Sequence, residues 1–216
     1  MIAVLTPSLT GEFIEGWYKA LSASIGDTEY TIYTCTGKPI LEARNKTTTA
    51  AYQNKEVSHF LFLDDDILPS PLGIQKLLEA DKPIIGGVCC YKTTPYKAVF
   101  ANLNTKNEMY DFDPKPKYPS TPFEVDATGF GCLLVKREVL EAIGYKDWFR
   151  WDWIRNKSNG RAYRFAGGED VWWCEKAKLH GYKVFIDPKC RCLHVSRTSG
   201  KIYPKSLEAK FWKRFD

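Results

Sequence analysis

The sequence predicts an α/β domain with a mostly parallel central sheet flanked by helices on both faces. Three observations carry that expectation. Over residues 1–90, short apolar and β-branched runs alternate with segments of helical period, the rhythm of strand-helix units whose strands run parallel. The chain has 216 residues, 44% of them hydrophobic and 14% aromatic, enough for one sizeable core and barely enough for two. One apolar run ends in three consecutive carboxylates, Asp64, Asp65 and Asp66, at the carboxyl end of a strand, where open α/β sheets place their ligands.

Ile2 to Leu5 form a compact apolar run, and Phe13, Ile14, Trp17, Tyr18, Leu21 and Ile25 follow at helical spacing, which reads as strand, turn, helix. With no basic region ahead of it, the opening run is expected to be a strand and not a signal peptide. Tyr30 to Cys35 alternates as a strand, Ile40 to Tyr52 is a helix carrying Arg44 and Asn45, and His59 to Leu63 is the strand before the acidic triplet. Leu72 to Ala80 reads as a helix and Pro83 to Cys90 as a buried strand. From Tyr91 onward Pro95, Pro114, Pro116, Pro119 and Pro122 break any period, so a loop-rich insertion with room for a short hairpin is expected.

Regularity returns with a strand from Phe123 to Asp126, a Gly129-Phe130-Gly131 turn, the apolar run Cys132 to Val135 and a helix from Arg137 to Ile143. After an irregular, Trp-rich stretch over 145–165, Gly167-Gly168 opens a helix from Glu169 to Leu179, with Gly181 as its C-terminal cap. Strands are expected at Lys183 to Ile186 and Arg191 to Val195, and a terminal helix at Leu207 to Phe215.

The formal net charge of +5 suits a polyanionic ligand without specifying one. The basic residues form no dense stripe interleaved with aromatics, which argues against nucleic acid as a partner. Seven cysteines, an odd number without C-x-x-C spacing, read as reduced thiols and not as a disulfide framework or a structural zinc motif. No run reaches the roughly 18 apolar residues of a membrane span, and the expected address is the cytoplasm.

Three adjacent carboxylates repel one another unless a cation or hydrogen-bond donors compensate them, and carboxylate oxygens suit Mg²⁺ or Mn²⁺. In an extended segment Asp64 and Asp66 point to one side and Asp65 to the other. The competing reading is an acidic turn capping the helix that follows Pro69 and Pro71. Glu169 and Asp170 have a structural reading too, since carboxylates in a first helical turn complement the dipole; a carboxylate there can also take a proton from a hydroxyl. Of the three histidines, His59 lacks polar company and His180 suits a helix C-terminus, while His194 ends a strand. Beyond it, Arg197, Lys201 and Lys205 lie in a polar, glycine-containing stretch that reads as a lid or as a solvated basic tail.

In order and content these elements resemble the GT-A nucleotide-sugar glycosyltransferases, particularly small family 2-like enzymes, over most of the chain. FLFLDDDI is similar to their D-x-D motif behind an apolar strand. Ala43-Arg44-Asn45 resembles an upstream A-R-N before a threonine- and alanine-rich helix, Glu169-Asp170 the acceptor-side acidic pair, and Val125 to Gly131 the central segment beside the transferred sugar. The resemblance implies a single GT-A (Rossmann-like) domain with a nucleotide-binding half at 1–90, an acceptor half at 91–195, and a mobile lid and tail at 196–216. It implies metal-dependent transfer, with inversion, of a sugar from a UDP- or GDP-sugar donor to a hydroxyl of a carbohydrate or other acceptor. Mn²⁺ or Mg²⁺ would be held by Asp66, Asp64 and His194. Thr6, Pro7, Arg44, Asp64, Asp65, Arg197 and Lys201 would contact the nucleotide or its phosphates, with Asp126 and Gly129 beside the sugar. Asp170 is the implied base, with Glu169 binding the acceptor or exchanging roles with it. The cluster Trp148 to Trp153 is the expected acceptor platform.

Two other readings stand beside this one. A nucleotidyltransferase would carry a glycine-rich phosphate loop after its first strand, and Thr6 to Gly11 is a poor one. A non-catalytic sugar-binding protein on a GT-A scaffold would have less reason to keep the acidic pairs and the late histidine.

Overall fold

A computed structural model describes residues 1–104, 106, 109–144, 148–155, 162–165, 168–207 and 209–216. The opening run becomes β1 (Ile2–Ser8), buried at every position because β2 (Tyr30–Thr36) and β3 (His59–Leu63) enclose it on either side, both parallel to it. It runs on past Leu5 and so carries Thr6 and Pro7 to the sheet's carboxyl edge. The main sheet continues through β10 (Cys132–Lys136), β5 (Ile84–Val88), β13 (Val184–Val195) and β14 (Ile202–Tyr203), in the order β2-β1-β3-β10-β5-β13-β14. β13 is parallel to β5, whereas β10 lies antiparallel between β3 and β5. Nothing in the apolar run of β10 marks its reversal, because a strand buried on both faces reads the same in either direction.

The two strands expected at Lys183 to Ile186 and Arg191 to Val195 are one. β13 shifts register between Asp187 and Arg191, around Pro188, which has no N–H to give the ladder. Its far half pairs with the short β4 (Ile67–Pro69) and with β14.

Alternation along the strands sorts the core into two faces. Ile2, Val4, Leu61, Leu63, Ile85 and Leu134 pack with Trp17, Leu21 and Ile25 of α1 (Trp17–Ile25) and Ile74 and Leu77 of α3 (Gly73–Glu79). Ala3, Leu5, Phe60, Phe62, Leu133 and Val135 pack with α2 (Ile40–Gln53), α4 (Arg137–Ile143) and α5 (Glu169–Leu179) through Ala51, Val139, Leu140, Trp173 and Ala177. None of these five helices has a side-chain N-cap bond. A cap is worth about 1 kcal/mol and each buried Leu or Phe about 1.5–3 kcal/mol, so packing on the sheet holds the helices. α1 begins later than expected: Phe13 precedes it and packs, tilted, against Trp17 at 4.6 Å between ring centroids.

The proline-broken insertion contains the expected hairpin, β6 (Phe100–Asn104) and β7 (Met109–Phe112), which β9 (Ala127–Thr128) extends to three strands. The strand expected over Phe123 to Asp126 splits: β8 (Phe123–Val125) joins β13, β9 joins β6, and Asp126 sits between them. A second hairpin pairs β11 (Trp153–Arg155) with β12 (Ala162–Phe165). The terminal helix is only a 3₁₀ turn, Lys210–Arg214. The segment expected as lid and tail packs on the body of the domain: Phe211, Trp212 and Phe215 are buried in the α2-α4-α5 face, and Arg214 grips Asp113 of the insertion through two bonds of 2.6 Å. Among the described residues no helix is long and apolar enough to cross a membrane.

Candidate active site

From β1 the chain crosses to β2 on one side and returns to β3 on the other, so a crevice opens beyond the carboxyl ends of β1 and β3. A cleft of about 400 Å³ lies there, lined by Pro7 to Leu9, Lys38 to Ile40, and Asp64, Asp65 and Asp66. Just behind it the Thr6 hydroxyl is buried without a partner among the described residues.

Asp66 and His194 meet because β13 pairs with β4. His194 stands opposite Ile67, and the Val195 N–H donates to the Asp66 carbonyl at 2.8 Å. His194 Nδ1 lies 2.9 Å from the Cys90 carbonyl oxygen. A carbonyl only accepts, so Nδ1 carries the hydrogen, and Nε2 lies 3.5 Å from Asp66 Oδ1. The other Asp66 oxygen bonds the Lys92 ammonium. Burial pushes this carboxyl up, but the His194 ring and Lys92 outweigh it and hold it at about 2. Lys92 escapes a reading of the sequence, since it belongs to no motif and sits in the insertion.

A second constellation centres on Arg44, which α2 buries to 4% exposure. Its Nε donates to Glu169 Oε1 at 3.2 Å, its Nη2 lies 3.1 Å from Asp64 Oδ1, and its guanidinium rests 5.4 Å from the Phe130 ring centre. Nη2 also donates to Asp64 Oδ2 in a long bond of 3.5 Å, while Asp64 Oδ1 and Arg44 Nη1 are both buried without hydrogen-bond partners among the described residues. Burial pushes Asp64 up to about 6 against the pull of Arg44, with the charge of Asp66 adding to the rise. Asn45 brackets Phe149 through two bonds of 3.0 and 3.1 Å, which sets the loop whose Trp151 donates to Glu169 Oε2 at 3.2 Å.

Asp170 accepts the Val171 N–H at 2.8 Å, and burial followed by the charge of Glu169 raises its pKa. Gly129 lies against it. A Cβ there would stand 2.8 Å from Val99 Cγ1 and 3.7 Å from Asp170 Oδ2, so the missing side chain leaves room beside the carboxylate.

Several expected contacts go elsewhere. Asp65 is 8% exposed and takes Arg197 at 2.5 Å, while Arg197 also donates to the Glu12 carbonyl at 2.8 Å. Their charges are therefore engaged with each other at the edge of the cleft that Asp65 lines. Lys201 lines a separate cavity of about 780 Å³ with Lys92, Lys205, Tyr96 and Tyr203. Asp126, expected beside the transferred sugar, spends both oxygens inside the protein: Oδ2 accepts the Leu103 N–H at 2.8 Å and Oδ1 takes Lys178 at 2.5 Å. Of the expected platform, Trp148 is 1% exposed and packs on Tyr52, because the loop's apolar residues complete the α2-α4 core; Trp151 is 62% exposed. The side chain of Trp153 and all of Gly167 lie outside the described residues.

All seven cysteines are free thiols, yet the fold gathers Cys132, Cys190 and Cys192 so that their sulfurs lie within 4.8 Å of one another.

The sequence matches no protein-family model and no curated protein. Among solved structures the chain is similar to A197 from STIV, with a TM-score of 0.59 and 20% identity over 91% of this chain and 86% of that one. It is also similar to GalNAc-T7 crystallised with UDP, GalNAc and Mn²⁺, with a TM-score of 0.58 and 13% identity over 93% of this chain. It spans 44% of the GalNAc-T7 chain. At these identities the likeness is one of fold, and the fold is a GT-A-like α/β domain.

Proposed function

We propose that this chain is a metal-dependent glycosyltransferase, akin to the small family 2-like enzymes, that moves a sugar from a nucleoside diphosphate donor to an acceptor hydroxyl with inversion. One observation carries the reading: Arg44 contacts both Asp64 of the acidic triplet and Glu169 of the second acidic pair, and Asp66 of the same triplet faces His194. The fold neighbour crystallised with UDP, GalNAc and Mn²⁺ supports it, and seven free thiols suit a reducing cytoplasm.

The residues present fit a hard divalent ion. Asp66 and the Nε2 of His194 face one another, the Cys90 carbonyl fixes the ring, and Asp64 Oδ1 is buried without a hydrogen bond among the described residues. Mn²⁺ or Mg²⁺ held by Asp66, His194 and Asp64 would supply Lewis-acid neutralisation of the leaving diphosphate. The chain's own groups do the rest. The cleft beyond β1 and β3 takes the nucleoside, with Thr6 and Pro7 beneath it. Lys92, with Lys201 and Lys205 along the neighbouring cavity, adds positive charge where the phosphates carry theirs. Asp170 accepts the acceptor hydroxyl's proton as that oxygen attacks the anomeric carbon, and its raised pKa brings it closer to working pH. Glu169, held by Arg44 and Trp151, orients the acceptor.

Lys92 gives a second reading, because its ammonium already neutralises Asp66. The lysine would then replace the ion and transfer would need no metal. Donor hydrolysis and transfer over UDP-, GDP- and dTDP-sugars, with Mn²⁺ present or chelated, separates the cases. We expect turnover to require Mn²⁺, to vanish in Asp66→Asn and to persist in Lys92→Met. Turnover that survives chelation but not Lys92→Met assigns the charge to the lysine, and no turnover with any donor sinks the enzyme reading.

A further inference from the structure

Three segments distant in sequence bring their sulfurs together behind the crevice. Cys132 opens β10 opposite Leu63, one residue before the acidic triplet. Cys190 lies in the irregular stretch of β13, and Cys192 stands opposite Pro69 of β4. All three are at most 1% exposed. Their sulfurs lie within 4.8 Å of one another, with Cys132 and Cys190 4.0 Å apart. Cys89, half-buried just beyond β5, packs against the same cluster.

The backbone makes room for this gathering. A Cβ at Gly87 would stand 2.7 Å from the Cys190 sulfur and 2.9 Å from that of Cys192, so a bare strand is needed where the thiols meet it. Cysteines that only fill a core need no common focus. Four sulfurs about 2.3 Å from a tetrahedral zinc are about 3.8 Å apart, so the spacings among Cys132, Cys190 and Cys192 close by about 1 Å or less, and Cys89 swings in as the fourth donor.

We propose that Cys132, Cys190 and Cys192, with Cys89 as fourth donor, bind Zn²⁺ as a closed structural centre. Each thiol gives its proton to solvent as its sulfur bonds the ion, and nothing is oxidised or reduced. With four protein donors, the centre has no open position for substrate. Its place gives it a task independent of the proposed transferase activity. Cys132 is paired with the residue that leads into Asp64, Cys192 precedes His194 by one turn of the strand's alternation, and Cys89 adjoins the carbonyl that orients His194. An ion there ties β10, β5 and β13 together under the crevice.

The test uses full-length protein carrying Asp66→Asn, so that the crevice does not compete, stripped of metal under reducing conditions. Titration with Cd²⁺ should give a thiolate-to-metal charge-transfer band that saturates at one ion per chain and is displaced by Zn²⁺. The band should be lost when Cys132 and Cys192 are replaced by alanine. Because that double variant can fail to fold, thermal unfolding of the parent chain is measured with and without one equivalent of Zn²⁺, and a rise in Tm is expected. Absence of the band, no rise in Tm, or a Cys132–Cys190 disulfide in protein purified without reductant would each overturn the proposal.

Discussion

Arg44 and Arg214 are both guanidinium groups drawn against aromatic rings, Phe130 for one and Tyr118, Phe211 and Phe215 for the other, and the protein treats them in opposite ways. Arg214 meets Asp113 with two parallel bonds of 2.6 Å, and Asp113 also accepts from Tyr118 and the Ala98 N–H. Every charge in that knot has its complement, the geometry that makes an ion pair a fastener. Arg44 is shared between two carboxylates, reaches one of them through a bond of 3.5 Å, and leaves Nη1 unmatched among the described residues. A buried polar group left unmade costs about 1–3 kcal/mol, so a stretch that tolerates several such groups has a use for them beyond stability. The contrast separates a clasp that holds the tail to the insertion from a site prepared for a ligand.

The sharpest way to break the contrast is Asp170→Asn. If the Arg44 constellation is catalytic, kcat should fall by about 10²–10⁴-fold, with donor affinity, measured by calorimetry, unchanged. The same variant has a stability signature. The folded carboxyl's pKa is raised, so the folded state binds the proton more tightly than the unfolded chain, and stability falls as pH rises through the window above the unfolded value. Asp170→Asn should therefore unfold at a higher temperature than wild type at neutral pH, the gain fading on acidification as both states become protonated. A variant that loses stability and keeps its rate would make Arg44 another clasp.

A smaller effect comes from the clasp itself. Asp113 has a φ of 54°, which Asn tolerates, so Asp113→Asn removes the charge and leaves the backbone in place. We expect it to cost about 1.5–3 kcal/mol in denaturant unfolding while the rate per folded molecule stays the same. A lost rate without lost stability would erase the distinction from the other side. Smallest is Arg197→Ala. Its pair with Asp65 is partly exposed, and unfolding should change by about 1 kcal/mol or less; a raised KM for the donor would show that docking this segment over Asp65 matters to binding.

The short apolar runs such as Phe60 to Leu63 and the helical spacing of Trp17, Leu21 and Ile25 made the strands and helices legible. The direction of β10 was hidden, because Leu133 and Leu134 are buried on opposite faces whichever way the strand runs. In the candidate site, Asp64 and Asp66 were legible at the end of an apolar strand, while Glu169 and His194 were picked out by the family resemblance; the structure puts Arg44 against both Asp64 and Glu169, and Asp66 against His194. Lys92 and the sulfur cluster were not, since their meeting depends on which strands pair and no local spacing encodes that. Asp126 and Trp148 show the converse. Each has the right chemistry for a sugar, but Lys178 and the Leu103 N–H satisfy the one, and the packing around Tyr52 encloses the other.

The strand order also sets when the crevice comes into being. β1, β2 and β3 are linked by short crossovers, but the outer edge of β5 is covered only by β13, Ile85 pairing with Phe185. Until that late strand arrives, an apolar edge with unpaired backbone groups stays open, a template for wrong partners. The acidic triplet meanwhile has neither His194 nor Arg197 beside it. On the ribosome the three carboxylates therefore emerge long before His194 and Arg197, and gain those partners together with the end of the sheet's exposure.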